Sequence, residues 1–247
     1  LIKDRIAQLN RELKEVRQHR EITRAKRTRN GMPVAAIVGY TNAGKSTLLN
    51  TLTGAGILAQ DKLFATLDPT TRGLKLASGQ EILLTDTVGF IRKLPHHLIE
   101  AFKSTLEEAR YSDIVLHVVD ASNLQMDTQM YVVYDTLRQL EIGDKTVVTV
   151  FNKMDQVEQP ETLKDLHSDY QVQISAKTGA GLDELKDILE MILRNRKIYL
   201  EKVFSYQEAG RIQTIRKYGQ LLKEEYREDG IYVEAYVPTE FYAGLMR

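Results

Sequence analysis

The chain has no cysteine. Disulfides and thiolate metal sites are excluded, and the composition suits a reducing, cytoplasmic setting. It has no net charge either: 34 basic side chains face 34 acidic ones. Any affinity for a nucleic acid must then come from a local patch, not from the whole surface. No apolar run is long enough to cross a bilayer, so stable membrane insertion is not expected. The first residue is Leu1, not methionine. The expectation is a piece of a longer protein whose upstream part carries targeting or partner-binding functions. The 247 residues present suffice for one large domain with its own core and a small appendage.

The densest signal lies near the start. Val34-Ala35-Ala36-Ile37-Val38 reads as a buried strand, and Thr47-Leu48-Leu49-Asn50-Thr51-Leu52 has helical spacing. Between them stands Gly39-Tyr40-Thr41-Asn42-Ala43-Gly44-Lys45-Ser46. A G-x-x-x-x-G-K-S loop in a strand–loop–helix setting is a phosphate-binding loop. Its backbone N–H groups, with those of the first helical turn up to Thr47, point at one spot, where the helix dipole adds positive charge. Gly39 and Gly44 let the backbone approach the phosphates. Lys45 can reach the β- and γ-phosphates, and the Ser46 hydroxyl can ligate Mg²⁺.

Downstream, apolar runs end in polar residues. Ile82–Leu84 leads to Asp86, Ile114–Val119 to Asp120, Thr146–Phe151 to Asn152 and Val172–Ile174 to Ser175. Helical patterns over Leu98–Arg110, Met126–Gln139, Pro160–His167 and Gly181–Arg196 separate them. This alternation predicts an α/β fold with a doubly wound, mostly parallel sheet and ligands outside the carboxyl ends of its strands. Asp86-Thr87-Val88-Gly89 then reads as a carboxylate for the Mg²⁺ shell, with a glycine whose N–H can meet a γ-phosphate. Asn152-Lys153-Met154-Asp155 reads as a base selector. The Asp155 carboxylate can accept from both N1–H and the exocyclic amine of guanine, whereas adenine would leave it unpaired. The Lys153 stem can lie across the base. Ser175-Ala176-Lys177 can complete the pocket, with a backbone N–H from the Ala176 region near the guanine O6.

Taken in order, these segments resemble a Ras-like P-loop GTPase domain, and their detail resembles the HflX family of bacterial GTPases. The finer likeness rests on Phe64-Ala65-Thr66-Leu67-Asp68-Pro69-Thr70-Thr71-Arg72 and Asp86-Thr87-Val88-Gly89-Phe90-Ile91. The resemblance makes Phe64–Arg72 the first switch, with Phe64, Ala65, Leu67 and Asp68 at the nucleotide and Thr66 as the Mg²⁺-ligating threonine. By chemistry alone Thr70 or Thr71 would serve as well. Gly54–Gln80 is expected to be ordered by nucleotide. Ras-type enzymes orient the attacking water with a glutamine after D-x-x-G. Here that place is Phe90, and slow intrinsic hydrolysis is expected. Lys45, Asn42, Thr66 and Gly89 are the residues expected to carry catalysis. Asn42 is included because several related bacterial GTPases with asparagine there use K⁺ in the role of an arginine finger.

Three regions fall outside this core. Residues 1–32 are an N-terminal arm in which Leu1 to about Asn30 reads as one basic helix, with Ile2, Ile6, Leu9, Leu13 and Val16 in a narrow stripe and Arg17, Arg20, Arg24 and Arg27 among its cations. It suits either RNA phosphates or a partner helix. Residues 33–197 are the nucleotide domain. Residues 198–247 read as a small α+β domain, with a strand at Ile198–Phe204, a helix at Tyr206–Tyr226, a strand at Gly230–Pro238 and a last short helix after Thr239. Its tyrosines suit a small core edge better than RNA stacking. His96 and His97, adjacent in sequence, suit a solvated helix start better than a metal site. The resemblance implies a monomeric GTP/GDP switch on the large ribosomal subunit, acting in ribosome splitting or rescue under stress, with no role for DNA. The alternative is a nucleotide-gated assembly factor whose N-terminal helix pairs with a protein.

Overall fold

The computed structural model describes residues 32–54, 70–87, 89–90, 109–139, 141–142, 145–158 and 163–246. It divides into two compact units, one spanning Pro33–Lys197 and another holding the residues from Ile198 on. In the first, β1 (Val34–Gly39), α1 (Lys45–Thr53), β2 (Thr70–Lys75), β3 (Glu81–Asp86), β4 (Ile114–Asp120), α2 (Met126–Gln139), β5 (Thr146–Asn152), β6 (Tyr170–Gln173) and α3 (Leu182–Asn195) follow in order. The sheet order is β2-β3-β1-β4-β5-β6. Every pairing is parallel except β2 on β3. Strand order reverses at β1, which places the loop after it at the switch point of a doubly wound sheet.

Burial explains why the strands were legible. Every residue of β4 is buried, as a central strand covered on both faces must be. Ile114, Leu116 and Val118 face one core with Leu48 and Leu49 of α1 and Leu185 and Leu189 of α3. Val115 faces the other, with Val133 and Leu137 of α2. One expectation in this unit needs correction, and one strand is additional. Residues 163–167, the described part of the helix expected at Pro160–His167, are not helical. Thr70–Lys75, within the span expected to depend on nucleotide, is an edge strand whose Thr71 hydroxyl lies 3.0 Å from that of Thr85. The expected N-terminal helix lies outside the described residues.

The second unit pairs β7 (Lys197–Phe204), β8 (Gln220–Arg227) and β9 (Gly230–Pro238) in the order β7-β9-β8, with α4 (Ala209–Tyr218) and α5 (Thr239–Met246). Its core joins Leu200, Phe204, Ile212, Ile215, Val233, Val237 and Leu245. The single helix expected at Tyr206–Tyr226 is therefore a helix followed by a strand. Gly219 ends the helix, its N–H closing on Ile215 O while its own backbone turns extended. Leu222, in the strand, is 49% exposed, whereas Ile212 and Ile215 of the helix are buried. Several of the unit's tyrosines engage their own neighbours: Tyr199 on Tyr236 with ring centroids 5.6 Å apart, Tyr218 on Phe241 at 4.7 Å, and Arg227 over Tyr232 at 3.8 Å.

A buried polar island lies between α2 and β5. The Asp165 carboxylate accepts from the hydroxyls of Tyr134 (2.6 Å) and Thr149 (2.5 Å). His117 of β4 stands edge-on to Tyr134, ring centroids 5.0 Å apart. Burial pushes its pKa from 6.5 down to about 4, against the pull of Asp165 and with Lys45 adding to the drop. Above pH 6.5 the ring is neutral folded or unfolded and contributes no pH dependence. Below it, the unfolded chain takes up a proton that the folded one refuses until about pH 4. Stability should fall by about 3 kcal/mol across that window through this ring alone. Denaturant unfolding at pH 6.5, 5 and 4 should show His117→Asn losing that share of the slope. Equal slopes for the two proteins would remove the assignment.

Candidate nucleotide site

The loop after β1 crosses to α1 at Gly44, whose φ is 96°. A Cβ there would stand 2.2 Å from Asn152 Nδ2, so only glycine fits. Among the described residues no side chain caps the N-terminus of α1, and no acid occupies its first turn. The first-turn N–H groups of Lys45, Ser46 and Thr47 therefore stand where an anion is favoured. Lys45 is buried, and its Nζ donates to Tyr40 O at 2.9 Å. Desolvation pushes its pKa down to about 8, against the attraction of Asp86. An ammonium this poorly solvated gains strongly from a phosphate.

Ser46 Oγ donates to Asp86 Oδ2 at 2.6 Å, which joins the end of β3 to the start of α1. A hydroxyl and a carboxylate brought together in this way form a hard oxygen donor set, and they fit Mg²⁺. Gly89 lies against the same loop. A Cβ on it would meet Thr41 Cγ2 at 2.8 Å and Lys45 Nζ at 3.0 Å. Thr87 is turned inward, its hydroxyl donating to Ile37 O at 2.8 Å. Phe90 is 1% exposed and packs with Val38, Val115 and Val133. Its side chain carries no polar atom, and only its backbone reaches the loop, with the Phe90 carbonyl accepting the Thr41 N–H at 2.9 Å and its N–H donating to Gly39 O at 3.0 Å. Asn42 is exposed with φ 63°, a left-handed conformation that asparagine tolerates.

The base-selecting segments meet at the ends of β5 and β6. Ser175 Oγ donates to Asp155 Oδ1 at 2.7 Å, and this bond chiefly holds the Asp155 carboxyl below its ordinary range. Asn152 is buried and spans the site. Its Nδ2 donates to Ala43 O at 2.8 Å, and its Oδ1 accepts the Ala176 N–H at 2.9 Å. The Ala176 N–H, expected near the guanine O6, is thus engaged by Asn152, because a buried amide oxygen must find a donor. Lys153 has φ 66°, and its Nζ donates to Asp120 Oδ2 at 2.7 Å. That contact fixes the lysine stem. Asp120 has a role that the sequence reading did not assign, since a lone aspartate at a strand end carries no motif. Met154 packs on Phe151 and Val119, and Lys177 is exposed. Phe64, Ala65, Thr66, Leu67, Asp68, Val88, His96 and His97 lie outside the described residues.

A family model described as "50S ribosome-binding GTPase" matches residues 34–153. GTPase HflX of Lacrimispora saccharolytica is 71% identical over 245 residues, covering 99% of this chain and 58% of that protein. GTPase HflX of Caldanaerobacter subterraneus is 45% identical over 239 residues, 97% of this chain and 55% of that protein. The chain thus spans between half and two thirds of the length of these relatives. Among solved structures, a GTP-binding protein from the archaeon Sulfolobus solfataricus in complex with GDP superposes with a TM-score of 0.53 at 26% identity, over 71% of this chain and 57% of that one. The identity to the first relative runs through both units and not through the phosphate loop alone, and with a P-loop GTPase sheet beneath it the chain belongs to the HflX family of GTPases.

Proposed function

We propose that the chain binds GTP and GDP with Mg²⁺, hydrolyses GTP, and acts as a nucleotide-controlled switch on the large ribosomal subunit, in ribosome splitting or rescue under stress. The observation that carries this reading is the span of Asn152 between Ala43, on the phosphate side, and Ala176, on the base side. One buried amide holds both ends of a single nucleotide site at a fixed separation. In this reading residues 33–197 are the GTPase domain, 1–32 its basic arm and 198–247 its α+β appendage.

Asp155 accepts from the two guanine donors while Ser175 keeps it oriented and ionised. Lys45 and the first-turn N–H groups of α1 bind the β- and γ-phosphates and stabilise the charge that develops between them. Ser46 and Asp86, with Thr66 by family likeness, hold Mg²⁺, which would neutralise phosphate charge when bound. Gly89 leaves room for its backbone N–H beside Lys45. Phe90, packed in the core, cannot orient water, so slow turnover by the chain alone is expected. A K⁺ ion beside Asn42 would supply part of the missing charge.

The test is GTP turnover with and without purified large ribosomal subunits, in K⁺ and in Na⁺ at equal ionic strength. The expected result is slow hydrolysis alone and at least about a hundredfold acceleration with subunits, the size of one well-placed stabilising group. Equal rates in the two salts would remove the K⁺ role. No acceleration would count against the ribosomal role, and equal hydrolysis of ATP against the whole reading.

A further inference from the structure

Helix α1 starts at the phosphates, but its contacts do not end there. Thr51, six residues beyond Lys45, has two carbonyl oxygens within reach of one hydroxyl proton. Thr47 O lies 2.9 Å away, one turn back, and Ala176 O lies 2.8 Å away, 125 residues on in sequence. The first is the ordinary back-bond of a helical threonine. The second belongs to the loop that holds Ser175 against Asp155. Ala176 is therefore gripped from both sides, its N–H by Asn152 and its carbonyl by Thr51.

That loop is closed upon itself. Ser175 N donates to Ala180 O, Gly179 N to Ser175 O, and Thr178 N to Ser175 Oγ. Its internal bonds let it move as a body, while the bonds of Asn152 and Thr51 cross the seam between the base side and the phosphate side. A nucleotide held at both ends leaves when that seam opens. We infer that Thr51 is a positioning residue, a latch that fastens the base-side loop to the phosphate-side helix and so sets the residence time of the bound guanine nucleotide. The inference rests on the nucleotide reading given above. Thr51 touches neither base nor phosphate in this role. When the seam opens, its proton turns to Thr47 O, so no donor is stranded in the open state. The latch is worth no more than one neutral hydrogen bond, which sets its effect at about threefold to tenfold in rate.

The experiment is the dissociation of a fluorescent GDP analogue, chased with excess unlabelled GDP, from the wild-type chain and from Thr51→Ser, Thr51→Val and Thr51→Ala. Valine keeps the branched shape and removes the proton, alanine keeps the helix, and serine keeps the hydroxyl. The latch predicts dissociation about threefold to tenfold faster for valine and alanine, with serine within about twofold of wild type. The ratio of GDP to ADP affinity should stay unchanged, because Asp155 is untouched. A general loosening of the site would instead lower that ratio, and would not be rescued by serine. Unchanged dissociation from valine and alanine variants that still bind GDP would overturn the latch alone. A wild-type chain that holds no guanine nucleotide would overturn the latch and the nucleotide reading together.

Discussion

Asp155→Asn should lower the affinity for GDP at least about a hundredfold and admit xanthosine diphosphate in its place. In the proposed pocket the wild-type carboxylate would present two acceptors to the two donors on one edge of guanine. Its ionisation is secured by the Ser175 hydroxyl, which donates at 2.7 Å and holds the pKa below the ordinary carboxylate range. The side chain is therefore charged across the working pH range. Asparagine keeps one acceptor and replaces the other with an NH₂ group. Guanine then faces a donor with a donor, and both lose water without gaining a bond. Xanthine carries a carbonyl where guanine carries its amine, so it accepts from that NH₂. The loop itself should persist, because Ser175 can still donate to the remaining amide oxygen. Competition of GDP and xanthosine diphosphate against a fluorescent nucleotide reads the exchange directly. A variant that kept wild-type GDP affinity would show that the base is selected elsewhere.

Much of this site was legible because its parts are local. The strand before Gly39, the loop and the start of α1 lie within about twenty residues, and β1, β4 and β5, which lead to Gly39, Asp120 and Asn152, are apolar runs buried along most of their length. The parts that were not legible depend on partners far away in sequence. Asp120 is silent until Lys153 is brought to it, and Thr51 is one helical threonine among several until Ala176 arrives. The double role of Asn152 is equally hidden, because its motif announces the base and not Ala43. Errors arose where local preference and tertiary pairing disagree. Gln220–Arg227 is rich in Leu, Lys, Glu and Arg, good helix formers, yet it pairs antiparallel with β9. Its Glu224 turns toward α4, where Arg216 grips it at 2.6 Å. Thr70–Lys75 buries only Leu74, so an edge strand with one covered face gave no apolar run to read.

Lys45→Met should separate stability from binding. Lys45 is 6% exposed, and the pKa of its ammonium falls from 10.5 to about 8 even with the attraction of Asp86 included. At pH 7 it is protonated whether the chain is folded or unfolded. The folded chain then carries a charge that its surroundings solvate poorly, at a cost of about 3 kcal/mol. Methionine has nearly the same length and no charge, so that cost disappears. The carbonyl of Tyr40 loses its 2.9 Å donor in exchange, worth about 1 kcal/mol. The nucleotide-free variant should therefore be about 2 kcal/mol more stable than wild type in denaturant unfolding. Its affinity for GTP in the presence of magnesium should fall at least about a hundredfold in calorimetry, since two phosphates lose a buried positive partner. The two effects have one origin: the wild-type chain holds an under-solvated cation beside Gly89 and the start of α1, and a triphosphate bound there would supply the charge that water cannot. A variant that lost both stability and binding would mean that Lys45 is a structural strut, and one that kept GTP affinity would place the phosphates away from this loop.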